Sequence, residues 1–156
     1  MRIALAADHR GFVLKEELKT RLSALGHEIV DVGANSPEAG DDYPDYAYPA
    51  AMLVATGDTE RAVLLCGSGA GMVIAANKVR GIRAIEGYSA EHVQHARRDD
   101  DANVLTLAAD ELPAERAFEI VEAFLAAPYE PSETHERRLD EIADIEHDEG
   151  DRASHE

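Results

Sequence analysis

The sequence predicts an α/β fold in which a five-stranded parallel sheet is covered by helices on both faces. Short apolar runs alternate five times with segments of helical spacing. That order is typical of parallel sheets, because each strand is followed by a crossover. The third apolar run ends in alternating glycines, CGSGAGM at 66–72, as a buried strand does when it turns directly into a helix. A chain of 156 residues, 45% of them hydrophobic, is the size of one domain with a substantial core.

The predicted elements follow one another without an internal repeat or a second domain. Apolar runs mark the strands, and apolar residues at helical spacing mark the helices. The predicted strands are 2–8, 27–33, 61–67, 82–88 and 103–109, and the predicted helices are 11–26, 44–57, 70–81, 89–100, 113–127 and 131–147.

Local signals support several of these helices. Leucines at near-helical spacing define the first helix, and Gly26 ends it. Pro49 lies in the second segment, so we expect that helix either to begin its first turn there or to kink. Gly81 closes the third helix, Ser89 is placed to cap the fourth, and Pro113 stands in the first turn of the fifth.

The last predicted helix, 131–147, is highly charged. Its apolar residues form one narrow stripe of Leu139, Ile142 and Ile145, which is too little to make a core. We therefore expect it to pack on a partner subunit. The domain is predicted to span 1–146, and an acidic tail over 148–156 is expected to be flexible.

The composition argues against several classes of protein. Acids outnumber bases 32 to 15, for a net charge of −17, and such a surface repels nucleic acid. No apolar run approaches the roughly 20 residues of a membrane span. The N-terminal segment lacks the apolar region of a signal peptide, and the single cysteine cannot form an internal disulfide. We expect a cytoplasmic protein.

Ligands of open α/β sheets bind beyond the carboxyl ends of the strands. Here Asp8 and His9 follow the first strand, and the segment 66–71 ends the third. These residues and the region after the fourth strand are predicted to converge on one crevice.

The glycine run has two interpretations. Gly67, Gly69 and Gly71 allow a tight turn, so that backbone amides at the next helix can face an anion. The spacing differs from the dinucleotide pattern, although Glu86 lies near the distance of a ribose-binding acid and keeps a nucleotide site open. The alternative is a strand–helix turn with no ligand.

The polar residues near these glycines are also open to two interpretations. Cys66 near a helix N-terminus can act as a base or nucleophile, with Ser68 as a hydroxyl donor, or it can be inert packing. Asp8 can hold sugar hydroxyls or cap a helix, and His9 can bind phosphate or transfer protons. No metal site or cofactor is predicted, since the histidines lack ligand spacing; those considered are His27, His92, His95, His135 and His147.

Four segments together resemble the family of type B ribose-5-phosphate isomerases and galactose-6-phosphate isomerases. They are AADHRGF.LK, DYPDYA, CGSGAGM.IAANKV.GIRA and NVLTL, and the resemblance runs from residue 2 to about residue 146. It implies a Rossmann-like three-layer αβα sandwich. It also implies a homodimer or tetramer with shared active sites that interconverts aldose and ketose phosphates without metal, through a cis-enediol.

The resemblance also implies residue roles. Cys66 is the base that moves a proton between two carbons, and Ser68 helps move protons among the oxygens. The backbone amides of the glycine loop stabilise the enediolate. Asp8 and Tyr43 hold substrate hydroxyls, and His9 contacts the phosphate end. Asn77 braces the site. The complete substrate-binding set that the resemblance implies is Asp8, His9, Tyr43, Gly67, Gly69, Gly71, Asn77, Asp99 and Arg138.

Three positions depart from the family pattern. Asp99 stands where the family has a histidine that opens the furanose ring. Asp110 follows the fifth strand where an arginine is usual. Thr134 replaces the first arginine of an R-H-x-x-R pattern, of which Arg138 remains. A charge-assisted hydrogen bond contributes about 1.5–3 kcal/mol, so the two lost arginines should weaken phosphate binding unless Arg10 or Arg137 compensates.

These departures leave three explanations open. The first is a tetrose phosphate, which cannot form a five-membered ring and needs no ring-opening base. The second is a ribose 5-phosphate whose ring is opened by His95, one helical turn before Asp99. The third is a more deeply changed substrate without phosphate. The expected function is isomerisation of ribose 5-phosphate and ribulose 5-phosphate. The alternatives are a tetrose-phosphate isomerase and a non-catalytic sugar- or nucleotide-binding domain.

Overall fold

A computed structural model of the chain describes residues 1–153. The strands are β1 (Arg2–Ala7), β2 (Glu28–Asp31), β3 (Arg61–Cys66), β4 (Ala84–Glu86) and β5 (Val104–Ala108). The helices are α1 (Phe12–Ala24), α2 (Pro44–Ala55), α3 (Ala70–Ala76), α4 (Ala90–Asp100), α5 (Ala114–Ala126) and α6 (Glu133–Ala153). The predicted alternation of strands and helices is confirmed.

All five strands lie parallel in one sheet of order β2-β1-β3-β5-β4. Ala7 pairs with Leu65 across β1 and β3, and Cys66 pairs with Ala108 across β3 and β5. The carboxyl ends of the three central strands are therefore level, and the loops that follow them begin at the same edge of the sheet.

Side chains along each strand alternate between two buried clusters, as expected for a parallel sheet covered on both faces. In β1, Leu5 joins the cluster formed with α1, α4 and α5, whereas Ala6 joins the cluster formed with α2 and α3. The structure is thus the three-layer αβα sandwich that the resemblance implies. The α2 side is lined largely by alanines, which lets that helix pack close to the strands.

Helix α2 begins where the sequence predicts it, and Pro49 does not stand in its first turn, which was one of the two expectations for that proline. The helix begins at Pro44, where the missing N–H of proline costs nothing because the first helical N–H groups have no intrahelical partner. Pro49 lies inside the helix. Ser89, by contrast, is confirmed as the cap of α4, because its Oγ accepts the His92 N–H at 3.1 Å.

Helix α6 extends beyond its predicted end at 147. Its backbone is helical to Ala153, six residues beyond that end and into the segment predicted as a flexible tail. Glutamate, arginine and alanine favour helix and outweigh the cost of one glycine. Residues 154–156 of the predicted tail lie outside the described residues. None of the helices within 1–153 is both long and apolar enough to cross a membrane.

Helix α6 contacts α4 of its own chain. The Glu146 carboxylate also accepts the Gly81 N–H at 3.0 and 3.1 Å. Two members of its predicted apolar stripe remain uncovered, since Ile142 is 42% exposed and Ile145 is 63% exposed.

A buried ion pair joins α1 to the end of β2. The Lys15 side chain is 1% exposed, and its Nζ lies 2.7 Å from Asp31 Oδ2. Lys19 Nζ lies 2.7 Å from the same oxygen, and the Gly33 N–H donates to Oδ1 at 3.0 Å. Burial opposes ionisation of Asp31, but the hydrogen bonds from Lys15, Lys19 and Gly33 outweigh it and lower the pKa of this carboxyl.

We predict that Asp31→Asn lowers the free energy of unfolding by about 2 kcal/mol, because it removes the closest charged partner of the buried Lys15 ammonium. Glu16 Oε1, 2.8 Å from Lys15 Nζ, remains as its other carboxylate. Urea unfolding at neutral pH measures the loss. Glu38→Gln, which removes an exposed carboxylate, is the matched control and should change stability by less than about 0.5 kcal/mol.

The same pair makes stability depend on pH. Because the folded-state pKa of Asp31 lies below the unfolded value of about 3.9, its contribution is complete above that pH and is lost as pH falls through the folded value. Acid should therefore narrow the stability gap between the parent protein and Asp31→Asn. A gap that stays constant down to the acid transition would contradict this account.

Candidate active site

The loops after β1, β3 and β5 meet at the carboxyl edge of the sheet. The Asp8 N–H donates to the Leu65 carbonyl at 3.2 Å, and the Ala109 N–H donates to the Cys66 carbonyl at 2.9 Å. Beyond β4, the Gly87 N–H donates to Thr106 at 2.9 Å. The predicted convergence of Asp8, the glycine loop and the region after the fourth strand is therefore observed.

Cys66 is the last residue of β3 and is 4% exposed. The backbone N–H of Gly69 donates to its Sγ at 3.2 Å. This contact requires the chain to turn back at once, and Gly69 does so with a φ of +79°, a value that side chains disfavour. The turn thus aims a backbone N–H at the position where negative charge forms when the thiol gives up its proton.

Each glycine of the loop lies against a side chain from another element. A Cβ on Gly67 would lie 2.5 Å from Cζ of Arg10, and one on Gly71 would lie 2.7 Å from Cζ of Tyr43. A Cβ on Gly69 would lie 3.2 Å from the Glu86 carboxylate. The glycines are needed for this close approach, and the three side chains surround the loop that carries the thiol.

The Asp8 carboxylate supports the turn that precedes α1. It is 6% exposed, and its Oδ1 accepts the N–H groups of Arg10 at 3.0 Å and Gly11 at 3.1 Å. The N-cap of α1 is Gly11, so Asp8 closes the turn before the helix rather than capping it. Both bonds use Oδ1, which leaves Oδ2 to accept from a ligand hydroxyl.

His9 is held by Asp41, a residue that the sequence analysis did not single out. Asp41 accepts the His9 N–H at 3.0 Å and lies 2.5 Å from Nδ1 of its ring. Burial of Asp41 opposes its ionisation, but hydrogen bonds from His9 and Tyr46 outweigh it and lower the pKa of this carboxyl. An ionised Asp41 can only accept, so Nδ1 of His9 carries the proton and Nε2 is the nitrogen open to a ligand.

Arg10 forms an ion pair with Asp110. Asp110 occupies the position after the fifth strand where the family pattern has an arginine. The guanidinium thus reaches the loop from β1 instead of β5, and it lies directly over Gly67. The structure places a cation at this edge although the expected arginine is absent from the β5 side.

Ser68 precedes and Asn77 follows α3, the short helix after the glycine loop. Ser68 is exposed beside Cys66. Asn77 follows the short helix α3 and binds the backbone of Ala84 twice, donating to its carbonyl at 2.9 Å and accepting its N–H at 2.8 Å. Asn77 therefore ties α3 to β4, consistent with a bracing function.

The remaining predicted residues lie at the opposite edge of the sheet. Helix α4 runs from the carboxyl end of β4 back to the start of β5, so its last residues, including Asp99, lie near the amino ends of the strands. The Glu130 N–H donates to the Arg98 carbonyl at 3.0 Å, which brings the start of α6 to the same edge. Asp99, Thr134, Arg137 and Arg138 lie toward this edge, away from Cys66 of the same chain, and His95 lies in the middle of α4.

Asp99 is engaged in local ion pairs at that edge. Arg98 Nε donates to its Oδ1 at 2.8 Å, and His135 Nε2 lies 3.9 Å from the same oxygen. The Arg98 hydrogen bond lowers the pKa of Asp99, and the charges of His135 and His95 add to the effect. Arg137 lies 3.8 Å from Glu141, and Arg138 is exposed.

Sequence comparison places the chain in a known family. The family described as Ribose/Galactose Isomerase matches residues 3–142. The chain belongs to this family. Ribose-5-phosphate isomerase B of Escherichia coli K12 is 43% identical over 148 residues, covering 93% of this chain and 96% of that protein.

Solved structures of family members match the fold closely. A ribose 5-phosphate isomerase from Thermotoga maritima is 41% identical with a TM-score of 0.88, covering 92% of this chain and 97% of that one. Ribose-5-phosphate isomerase B from Mycoplasma genitalium, solved with bound ribulose-5-phosphate, is 38% identical with a TM-score of 0.88, covering 93% and 95%. The Rossmann-like fold is thus shared across nearly the whole chain.

Within residues 1–153, no three His, Cys, Asp or Glu side chains are grouped to hold a metal ion. The polar groups on the loops at this edge are backbone amides, the hydroxyls of Ser68 and Tyr43, the His9 imidazole, the Arg10 guanidinium, and the carboxylates that include Asp8, Glu86 and Asp110. Both oxygens of the Glu86 carboxylate face groups of the protein. Oε2 accepts the Tyr88 hydroxyl at 2.9 Å, and Oε1 faces Gly69, whereas a ribose-binding acid would accept from the hydroxyls of its ligand.

Proposed function

We propose that this chain interconverts ribose 5-phosphate and ribulose 5-phosphate through a cis-enediol intermediate. The observation that carries the proposal is the Cys66 thiol at the end of β3, which accepts the Gly69 N–H at 3.2 Å. It lies at the same edge of the sheet as Asp8, whose N–H donates to the Leu65 carbonyl, and as Tyr43, which packs on Gly71. Relatives of this fold and similar length are named ribose-5-phosphate isomerase B, and one of them holds ribulose-5-phosphate.

In the proposed reaction, Cys66 removes the C2 proton of the open-chain aldose. The carbonyl oxygen at C1 then gains negative charge, and backbone amides of the loop 67–71 stabilise it. Cys66 returns the proton to C1, and the carbonyl forms at C2. A thiol suits both steps, because it can accept and return a proton near neutral pH.

Polar groups around the thiol would hold the sugar hydroxyls. Ser68 is exposed next to Cys66 and would move protons between O1 and O2. Tyr43 covers Gly71 and is 39% exposed, so its hydroxyl can reach a substrate in front of the loop. Oδ2 of Asp8 would accept from a hydroxyl further along the chain.

We propose that cations from both edges of the sheet bind the substrate phosphate. Arg10 is the cation next to the glycine loop, and its ion pair with Asp110 orients the guanidinium. Arg138 lies at the other edge and can reach this site only from a second subunit. The uncovered side chains of Ile142 and Ile145 support a homodimer, or a tetramer built of dimers, in which α6 packs on the partner.

A tetrose phosphate is the second candidate substrate. The observation in its favour is Asp99, which replaces the histidine that opens the furanose ring in the family and is ion-paired with Arg98. A tetrose 4-phosphate cannot close a five-membered ring, so it needs no ring-opening group.

The test is proton NMR in deuterated buffer with ribose 5-phosphate, erythrose 4-phosphate, allose 6-phosphate and free ribose. We predict turnover of ribose 5-phosphate with deuterium uptake next to the carbonyl. Cys66→Ala should abolish both while keeping the parent circular dichroism spectrum, because it removes the proton-transferring group. Normal turnover by folded Cys66→Ala would contradict the assignment of the base.

Other outcomes would redirect the assignment. Turnover of erythrose 4-phosphate alone would favour the tetrose. No exchange with any of the four sugars would favour a binding protein.

We also predict that Arg10→Gln raises the KM for ribose 5-phosphate about ten- to a hundredfold, because the phosphate loses one charge-assisted hydrogen bond. The KM for free ribose, if it is turned over, should not rise with it. Arg116→Gln removes an exposed arginine of α5 that pairs with Glu119, and it is the matched control. An unchanged KM in Arg10→Gln would show that the phosphate lies elsewhere.

A further inference from the structure

A polar cavity lies at the amino edge of the sheet, away from Cys66. Its volume is about 450 Å³, and Arg61, Arg83 and Arg97 are among the residues that line it. Arg61 and Cys66 are the first and last residues of β3, so their Cα atoms are about 16 Å apart at about 3.3 Å per residue. This amino-edge cavity is therefore separate from the glycine loop of the same chain, and its volume suits a small organic molecule.

The lining of the amino-edge cavity carries more positive than negative charge. Asp101 is shared between two arginines, since its Oδ1 lies 2.7 Å from Arg97 Nη1 and its Oδ2 lies 2.8 Å from Arg83 Nη2. The other carboxylate of the lining belongs to Glu60, which is exposed and accepts the Arg2 backbone N–H at 3.1 Å. Three guanidinium groups against two carboxylates leave a charge of +1 in a chain whose net charge is −17.

The Arg61 guanidinium is held by backbone carbonyls rather than by a carboxylate. Its Nη1 donates to Phe124 at 2.5 Å and to Leu125 at 2.7 Å, in the last turn of α5, where carbonyls have no intrahelical partner. Burial and, after it, the charge of Arg97 lower the pKa of Arg61 to about 10. The protein alone therefore does not fully offset the charge of this guanidinium, which a bound anion would do.

Arg97 keeps free donors although it is nearly buried. Its side chain is 6% exposed. Its Nε donates to the Ala127 carbonyl at 3.3 Å, and its Nη1 donates to Asp101 at 2.7 Å and to the Ala102 carbonyl at 2.6 Å. Within residues 1–153 its Nη2 has no acceptor, yet this atom is not sealed off from solvent. It is therefore open to the cavity that Arg97 lines.

Thr59 brings an unpaired hydroxyl to the same place. The residue is 3% exposed and lines the amino-edge cavity. Its Oγ1 is buried and has no hydrogen-bond partner in the part of the chain that the structure describes. The large majority of buried hydroxyls in proteins are paired, and an acceptor oxygen of a ligand in the cavity would supply the partner.

We propose that the amino-edge cavity is a second ligand site, which binds the phosphate group of a phosphate monoester or the free phosphate ion. A guanidinium presents a planar fork of donors that matches phosphate oxygens. The three arginines come from β3, the segment before β4, and α4. Donors from such different directions suit a tetrahedral anion with three or more open oxygens better than a planar carboxylate with two. The site uses none of the residues assigned to isomerisation.

The test is NMR spectroscopy of the full ¹⁵N-labelled protein, titrated with inorganic phosphate and with glycerol 3-phosphate at constant ionic strength. We predict saturable shifts of the backbone amide signals of Gly57, Thr59 and Asn103, which line the cavity. The signals of Gly67 and Gly69 report binding at the glycine loop separately. Tighter binding of glycerol 3-phosphate in the cavity would identify a monoester as the ligand, and tighter binding of inorganic phosphate would identify the free ion.

Two variants test the residues of the cavity. Thr59→Val keeps the shape of the side chain and should weaken phosphate binding there about two- to tenfold, because one neutral hydrogen bond is lost. It should not lower the melting temperature in phosphate-free buffer, since the hydroxyl has no partner to lose. Arg61→Gln removes one of the three cations and should weaken binding about tenfold or more.

Arg116→Gln, which removes an exposed arginine of α5, is the matched control and should leave binding at the cavity unchanged. Arg10→Gln should weaken only the shifts at the glycine loop. An absence of saturable shifts at the cavity would overturn the proposal, and so would an unchanged affinity in Arg61→Gln. If Arg61→Gln does not fold, as judged by circular dichroism, an unchanged affinity in Thr59→Val overturns it instead. Equal losses at both places in Arg10→Gln would make the cavity part of a shared substrate site and overturn a separate one.

Discussion

The direction of the five parallel strands is the constraint on which the rest of the structure depends. Every strand ends at one edge of the sheet and every returning helix ends at the other. Cys66, the glycine loop, Asp8 and His9 are therefore gathered at the first edge, and Asp99 and the start of α6 at the second. The two sets of polar residues of one chain thus lie at opposite edges of its sheet. A substrate can contact both kinds of residue only if a second subunit brings its amino edge to the carboxyl edge of the first.

At the carboxyl edge, chemistry and packing require the same small residues. The sheet ends at a nearly buried thiol, and the following turn must return a backbone N–H to it, which Gly69 does with a positive φ. Gly67 and Gly71 leave room for Arg10 and Tyr43 to lie on the loop. In a chain of net charge −17, the Arg10 guanidinium places a positive charge at this edge and pairs with the Asp110 carboxylate.

The sequence was sufficient for the order of elements, the parallel sheet and the convergence on Cys66, because hydrophobic runs and glycine turns are local signals. The role of Pro49 in α2 was left open, since Pro44 and Pro49 give the same local signal and only packing separates a first-turn position from an interior one. Asp41 was not recognised, because it lies 32 residues from His9 in a loop with other aspartates. The pairing of Arg10 with Asp110 spans 100 residues and follows from register, which the pattern of residue types does not specify.

The central claim is that residues from opposite edges of two subunits complete one site, and subunit mixing tests it most directly. Purified Cys66→Ala and Arg138→Ala proteins would be assayed with ribose 5-phosphate below KM, separately and after subunit exchange. Each alone should be strongly impaired. An equal mixture should recover about a quarter of the wild-type sites, because half of the dimers are mixed and each mixed dimer holds one intact site. No recovery after demonstrated exchange, or full activity of Arg138→Ala alone, would contradict a shared site.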